Sequence, residues 1–225
     1  MIITGKPQFE TQNDYGEGDG IPPIPGWQSD MTSVAVDIPE LRLDNMGIER
    51  GVQNVLNRLH EIFQSARHSP LPPTRLHELT SFAIHRLLSN YDATSPLSPG
   101  NECLRLGIVL YLFTVQGQAY FPHTVMANDI AERFHQNLVS LEATPRRSDS
   151  LDIWCVSIGM AVSAVASKQE WYFRKAREWA ESLQLRCWDD VMVHIKRILW
   201  LDSPHGVSIF RPYWEACFHR IEKVS

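Results

Sequence analysis

Beyond about residue 40, apolar residues recur every three or four positions, which is the spacing of an amphipathic α-helix. The pattern predicts a first helix over about 45–67 and a second that ends near Tyr91. Between them, the adjacent prolines of the Ser69–Pro73 segment remove two backbone donors and break the helix. The residues expected to face the core are Ile48, Val52, Val55, Leu59, Ile62, Leu76, Leu79, Ala83 and Leu87.

The third predicted helix, 101–121, is apolar on nearly all sides over 104–115. Ser98 is placed to cap it, and Pro99 suits the first helical position. The run GIVLYLFTV is also rich in strand-forming residues. The helical pattern continues on both sides of this run and no partner strand is evident, so we predict a helix. A helix that is apolar all round belongs at the centre of a bundle.

A fourth helix is predicted over about 124–142, and the stretch Leu151–Trp200 contains three more, followed by a last helix. Five of the seven tryptophans lie in that stretch. Its three apolar stripes are Trp154, Ile158, Ala161 and Val165, then Tyr172, Ala176, Trp179 and Leu183, then Trp188, Val191, Ile195 and Ile198. Because each stripe needs a partner surface, we predict an all-α bundle of about seven to eight helices over 41–225.

Capping patterns mark the starts of two of these helices. Ser148, followed by Asp149 and Asp152, places a cap and negative charge at the start of the fifth helix. The Ser167–Glu170 segment has the capping-box pattern and is predicted to begin the sixth. Small residues such as Gly159 indicate that the fifth helix closely approaches a neighbour, for which the third helix is a candidate.

Residues 1–40 differ in composition from the rest of the chain. They carry one base against seven acids, with repeated glycine and proline, so the formal net charge of −5 arises from this segment, and the rest of the chain has 20 bases against 19 acids. Such a segment buries too little apolar surface to offset its ordering entropy. We predict a disordered acidic linker here. The functionally more specific alternative is an acidic, activation-like tail.

The four cysteines stand singly, 30 to 52 residues apart, at positions 103, 155, 187 and 217. No pair has the short spacing typical of a zinc site. We therefore expect four buried thiols in a reducing compartment. The longest apolar run, Ile108–Val115, is far below the roughly 18 residues that a membrane span needs, and the start lacks a signal-peptide core. The sequence predicts an intracellular, soluble protein without a membrane partner.

No catalytic, cofactor-binding or metal-ligating residue is predicted. His60 and His68 are expected to be exposed, and His77 and His85, eight apart, to be surface or half-buried histidines rather than a metal pair, because no acid or cysteine completes a site. The pair Asp189–Asp190 resembles only a fragment of the magnesium motif of terpene cyclases. Two acids in a first helical turn are better explained by the helix N-terminus.

Direct binding of nucleic acid by this chain alone is not expected, because the net charge has the wrong sign. The bases of the sixth helix alternate with acids, which is typical of a solvated helix with i,i+4 pairs. These residues are Lys168, Glu170, Arg174, Lys175, Arg177, Glu178 and Glu181.

The tryptophans admit two interpretations. Large aromatic side chains fill cores, and this is the interpretation we favour. They also line apolar pockets for small ligands. An effector-binding pocket therefore remains open as an alternative, in a sensor or in a helical enzyme.

Four segments in order resemble the C-terminal, all-helical regulatory region of fungal-specific transcription factors of the zinc-cluster type. They are ECLRLGIVLYLF (Glu102–Phe113), LDIWCVSIGMAVSA (Leu151–Ala164), WYFR (Trp171–Arg174) and IKRILWLDS (Ile195–Ser203). The resemblance covers roughly 45–221. It implies a nuclear regulator of metabolic or secondary-metabolite genes that has no catalytic residues or cofactor and acts through protein partners, self-association as a dimer, or a small-molecule effector.

The chain departs from that family at its start. A full family member begins with a zinc cluster, whereas Met1 here opens the acidic segment. We expect either a cluster-less co-regulator that reaches DNA through partners or a sequence that lacks an upstream exon.

Overall fold

The computed structural model describes residues 48–68, 71–89, 98–116, 124–142, 148–163 and 165–222. Within these ranges the chain forms eight α-helices and no strand, which confirms the predicted all-α bundle. The helices are α1 Arg50–Ser65, α2 Pro73–Ser89, α3 Pro99–Gln116, α4 Thr124–Leu141, α5 Asp149–Val162, α6 Ala166–Leu183, α7 Trp188–Ile198 and α8 Pro204–Glu222. The predicted acidic tail, 1–40, lies outside the described residues. None of the helices described in these ranges is both long and apolar enough to cross a membrane.

Two of the predicted helix caps are confirmed and one is wrong. The Oγ of Ser98 accepts a hydrogen bond from the Asn101 N–H (3.3 Å), and that of Ser148 accepts one from the Leu151 N–H (3.5 Å). The capping box at Ser167 is wrong, because α6 already begins at Ala166. Val165 occupies the N-cap position: its backbone is extended and its carbonyl accepts the first intrahelical bond, without a side-chain cap.

The apolar helices α3 and α5 form the centre of the bundle. α3 packs against α1, α2, α4, α5 and α8, and α5 packs against α6, α7 and α8 as well. Nearly every residue of α3 from Gly100 to Leu112 is buried, on all sides of the helix. The central position predicted for the third helix is therefore confirmed.

The predicted stripes hold for α7 but need correction in α5 and α6. All four α7 positions are buried. Val165 is 51% exposed, because α5 ends at Val162 and the chain turns before α6. In α6, Trp179 and Leu183 are half-buried and Ala180 is buried instead, so the inward face is rotated by about one residue.

Glycines set two close helix contacts. At Gly159 of α5, an added Cβ would lie well inside van der Waals contact with the ring of Tyr172 from α6. The close approach that the small residues of α5 indicate is thus to α6 at this point, not to α3. The α3–α5 contact uses a glycine of α3, since a Cβ on Gly107 would lie 2.8 Å from Cζ3 of Trp154.

Three of the four cysteines are buried as predicted. Cys187 is exposed, which corrects that prediction. It occupies the N-cap position of α7, where the chain has just left α6 and presents no apolar helical face. All four carry thiols.

Candidate functional site

A cavity of about 180 Å³ opens between α3, α4, α5 and α6. Its base is formed by side chains that are almost completely buried: Cys103 from α3, Leu138 from α4, and Leu151 and Cys155 from α5. The lining of the base is therefore apolar and contains two thiols. Nothing in this surface is charged, so it suits the uncharged part of a ligand.

Two tryptophans of α6 line the same cavity nearer to solvent. Trp171 and Trp179 are half-buried, and both pack against the core with one side while facing the cavity. The other described tryptophans, Trp154, Trp188, Trp200 and Trp214, are buried in the core. The interpretation as core residues therefore holds for these four, whereas Trp171 and Trp179 line a cavity and leave the pocket interpretation open.

An ion-pair group closes around the mouth of the cavity. The Nζ of Lys175 lies 2.6 Å from Oε1 of Glu142 and 2.9 Å from Oε2 of Glu178. It also stands 6.0 Å from the ring centroid of Trp171, within the range of a cation–π contact. Arg174 contributes a second cation, with Nη1 2.6 Å from Oε1 of Glu178. The i,i+4 pairing predicted for this helix is confirmed by the contact between Arg174 and Glu178, and the contact between Lys175 and Glu178 adds an i,i+3 pair.

The titration of these groups follows from the pairing. Partial burial disfavours the charged form of Lys175, but hydrogen bonds to Glu142 and Glu178 outweigh it and raise the pKa of Lys175. Partial burial likewise works against the ionised form of Glu178. Its hydrogen bonds and charge interactions with Lys175 and Arg174 are larger together and lower the pKa of Glu178. Lys175 and Glu178 are therefore both charged at neutral pH.

The cavity lining carries more negative than positive charge. Glu142, Asp152 and Glu178 supply three carboxylates, and Lys175 is the one cation among the described residues of the lining. Negative potential at an aromatic mouth favours cations over anions. The side chains described here can bind and orient a charged group, and they do not pair a nucleophile with a base.

A second, smaller cavity of about 160 Å³ lies beside the N-terminus of α6. It is lined by His135, Tyr172 and the ion pair between Lys168 and Glu132. The His135 ring stands edge-on to Trp171, with centroids 4.9 Å apart. Its buried Nδ1 has no hydrogen-bond partner among the described residues.

Two of the histidine predictions are wrong. His60 was expected to be exposed, yet it is buried: Nδ1 donates to the carbonyl of Ile198 (3.3 Å), and Nε2 lies 3.1 Å from Nε2 of Gln64. His85 is 1% exposed rather than on the surface, because its face of α2 is covered by the bundle. His68 is exposed and His77 half-buried, as predicted.

Burial lowers the pKa of several imidazoles, and this is the largest cause in each case. They are His60, His85, His135 and His194. These four are referred to below as the low-pKa histidines. In the part of the chain that the structure describes, no three His, Cys, Asp or Glu side chains converge as metal ligands.

Asp189 and Asp190 both lie in the first turn of α7, as expected, and Asp190 hydrogen-bonds to the backbone at this end of the helix. Oδ2 of Asp190 accepts hydrogen bonds from the backbone N–H groups of Arg186 (2.7 Å) and Cys187 (3.0 Å). These two bonds lower the pKa of Asp190. The carboxylate serves the N-terminus of α7.

A buried ion cluster escaped the sequence analysis. Glu102 and Arg105, in the most buried helix, form a bidentate pair at 2.7 and 2.8 Å, and Arg133 of α4 adds a contact of 2.6 Å to the same carboxylate. Nη1 of Arg105 donates to the carbonyl of Leu87 in α2 (3.0 Å). The only signal in the sequence is the i,i+3 spacing of opposite charges within an apolar helix. The cluster joins three helices and lies apart from the cavity.

Comparisons with known proteins give no match: a scan against protein-family models, a search of curated proteins and a search of solved structures all find none for this chain.

Proposed function

We propose that this chain is a non-catalytic regulatory domain that acts through protein contacts in fungal transcription, in the nucleus, on metabolic or secondary-metabolite genes. The proposed role in fungal transcription comes from the sequence resemblance. The structural observation that supports it is that the four resembling segments meet in one core.

Hydrogen bonds join the first, second and fourth of these segments. Tyr111, in the first, accepts a hydrogen bond on its hydroxyl from the Leu201 N–H in the fourth (2.7 Å). Trp154, in the second, donates from Nε1 to the carbonyl of Leu199 in the fourth (3.0 Å). These three segments therefore belong to one structural unit.

Packing joins the third segment to the second. Tyr172 of α6 is 2% exposed and its ring fills the space above Gly159 of α5. A regulatory domain with partners needs such a rigid core to present a defined surface.

A reporter assay tests the proposal. The chain is fused to a heterologous DNA-binding module in a fungal host, and the reporter transcript is compared with that from the module alone. The wild-type chain and a surface variant, Glu215→Gln, should both change the transcript. Gly159→Leu, which forces a large side chain into the Tyr172 ring, should abolish the change. A stable, folded wild-type fusion that leaves the transcript unaltered would refute the regulatory role.

Partner choice and DNA binding are tested separately. Light scattering that gives a mass above 25.8 kDa would support self-association, and a mass of 25.8 kDa would direct the search to other proteins. We expect no tight binding of duplex DNA by this chain at physiological salt. Micromolar or tighter binding with little salt dependence would contradict that expectation.

The cavity between α3, α4, α5 and α6 favours a second candidate function, that of a small-molecule sensor. A thermal-shift screen with apolar metabolites tests it, because ligand at 100 times its Kd stabilises the folded state by about 2.7 kcal/mol. A panel without any shift would remove this candidate and leave the interaction role untouched.

A further inference from the structure

We infer that the cavity between α3, α4, α5 and α6 binds a small organic amine as its ammonium ion, with the carboxylates of Glu142 and Glu178 at the charged end and the apolar base around the body of the ligand. This inference does not rest on the proposed regulatory role, since it concerns binding to the chain itself.

The resident lysine shows what the mouth recognises. The ammonium of Lys175 contacts one oxygen of Glu142 and one of Glu178, and it stands over the ring of Trp171. Two carboxylate oxygens and an aromatic face are the partners that an alkylammonium group requires. The protein thus already holds an ammonium ion at this position, on its own side chain.

Lys175 can give up this position to a ligand. Its side chain is 21% exposed and its charge stands at the end of a flexible four-carbon stem. The pairs that it makes are partly exposed, with the carboxylate side chains 37% and 49% accessible, and pairs of this kind contribute little to stability. A ligand ammonium can replace the lysine because it adds burial of its own apolar body, which Lys175 does not supply.

The charge of the lining excludes the opposite class of ligand. An anion at the mouth would face three carboxylates, including that of Asp152, against two cations, the ammonium of Lys175 and the guanidinium of Arg174. A neutral apolar molecule fits the base but gains nothing from Glu142 and Glu178. Electrostatic complementarity therefore selects a cation.

The base and the volume set the size of the ligand. The base offers Cys103, Leu138, Leu151 and Cys155, all nearly fully buried, and the half-buried Trp171 gives an aromatic wall. The volume of about 180 Å³ is below the roughly 300–1,000 Å³ of pockets for drug-sized molecules. A short alkyl or arylalkyl amine suits both features.

Isothermal titration calorimetry tests the inference with 2-phenylethylamine as the probe. Two matched ligands, 2-phenylethanol and phenylacetate, keep the aromatic body and replace the cation by a neutral group or an anion. We expect saturable 1:1 binding of the amine and much weaker binding of the other two. Equal affinity for all three would overturn the assignment of a cation site.

Three variants separate ligand recognition from general damage to the fold. Glu178→Gln should weaken amine binding by about two- to fivefold, the change that corresponds to loss of one partly exposed ion pair. Lys175→Gln should strengthen it by a similar factor, because the competing ammonium is gone. Glu215→Gln, which removes an exposed pair on α8, should leave it unchanged. A merely structural role of Lys175 would give no gain in affinity.

Nuclear magnetic resonance locates the bound probe. The indole N–H signals of Trp171 and Trp179 should shift on titration with the amine, and that of Trp214, buried elsewhere, should not. Absence of saturable binding to both the wild type and Lys175→Gln, or shifts confined to other tryptophans, would refute the site. Neither result would bear on the reporter assay, so the two proposals fail independently.

Discussion

Replacing Gly159 by alanine is the sharpest test of the helix packing. In an isolated helix the change is favourable by about 1 kcal/mol, because alanine has the higher helix propensity. In this protein the new methyl group would overlap three ring carbons of Tyr172. The sign of the change in stability therefore depends on whether the ring can move.

The surroundings of Tyr172 indicate that it cannot move cheaply. The side chain is 2% exposed, and its ring is held edge-on by Trp171 at 4.9 Å and by His135 at 5.3 Å between centroids. Overpacking of a well-packed core costs about 1–3 kcal/mol and occasionally more. Because the overlap is severe and the ring is enclosed, we place the cost at the upper end. The net loss in free energy of unfolding is then about 1–2 kcal/mol, after the gain in propensity.

The other described glycines that have close neighbours give a graded comparison. A Cβ on Gly107 would lie 2.8 Å from Trp154, and one on Gly206 would lie 3.3 Å from Trp200 and from Ser203. The first distance requires a shift and the second only a small adjustment, since carbon atoms pack best at about 3.5–4.0 Å. We expect the loss to fall in the order Gly159→Ala, Gly107→Ala, Gly206→Ala, with the last near zero.

Urea denaturation followed by circular dichroism measures these differences, with an unchanged m-value as the check for two-state behaviour. The double variant Gly159→Ala/Tyr172→Leu should be more stable, by about 1 kcal/mol or more, than the sum of the two single changes predicts, because it lacks the clash. If Gly159→Ala is as stable as the wild type, or if the two changes are additive, the packing argument is wrong.

Three further results are expected. Glu102→Gln should lower the free energy of unfolding by about 3–5 kcal/mol, because a buried guanidinium loses its compensating charge. The control Glu78→Gln, on an exposed pair, should change it by less than about 1 kcal/mol. Urea midpoints that coincide for the two variants would contradict this prediction. Trp154→Ala should cost about 3–5 kcal/mol and Trp179→Ala clearly less, since the first side chain is 1% exposed and the second half-buried; equal losses in the same assay would refute this ranking. Lowering the pH from about 7 to 5 should also reduce stability, because the low-pKa histidines bind protons less readily in the folded chain than in the unfolded chain, where histidine titrates near about 6.5. The urea midpoint should fall across this window, and a flat profile would count against burial of these histidines.

Helical periodicity predicted the fold because it is a property of one segment at a time. α3 is apolar on all sides and α7 has a clean stripe, so both could be placed without knowledge of their neighbours. Helix ends were harder. Val165 fits the α5 stripe by spacing, but the chain leaves the helix at Ser163, and Ser167 shows a capping pattern that the extended backbone of Val165 overrides.

Side chains with distant partners could not be predicted. His60 resembles an exposed polar residue by position, yet its hydrogen-bond partner, Ile198, is 138 residues away. The cavity could not be predicted for the same reason, because its lining comes from four helices whose relative placement no single segment encodes. The local signals were the tryptophans, two of which line the cavity, and the alternation of charges around Lys175, which was correctly interpreted as i,i+4 pairing.

The concentration of tryptophan and tyrosine near the end of α7 has a physical explanation in the backbone. Residues 199–201 are buried without helical structure, so their N–H and C=O groups, apart from the Leu199 N–H that donates to Ile195, lack intrahelical partners. Leucine or phenylalanine would fill this space but leave those groups unsatisfied, at a cost of about 1–3 kcal/mol each. Tyr111 and Trp154 fill it and also bond to the backbone of Leu201 and Leu199. Burial raises the pKa of Tyr111, which keeps its hydroxyl neutral in this role. At this irregular segment, Tyr111 and Trp154 therefore both fill the core and satisfy buried backbone groups, which a purely apolar side chain could not do.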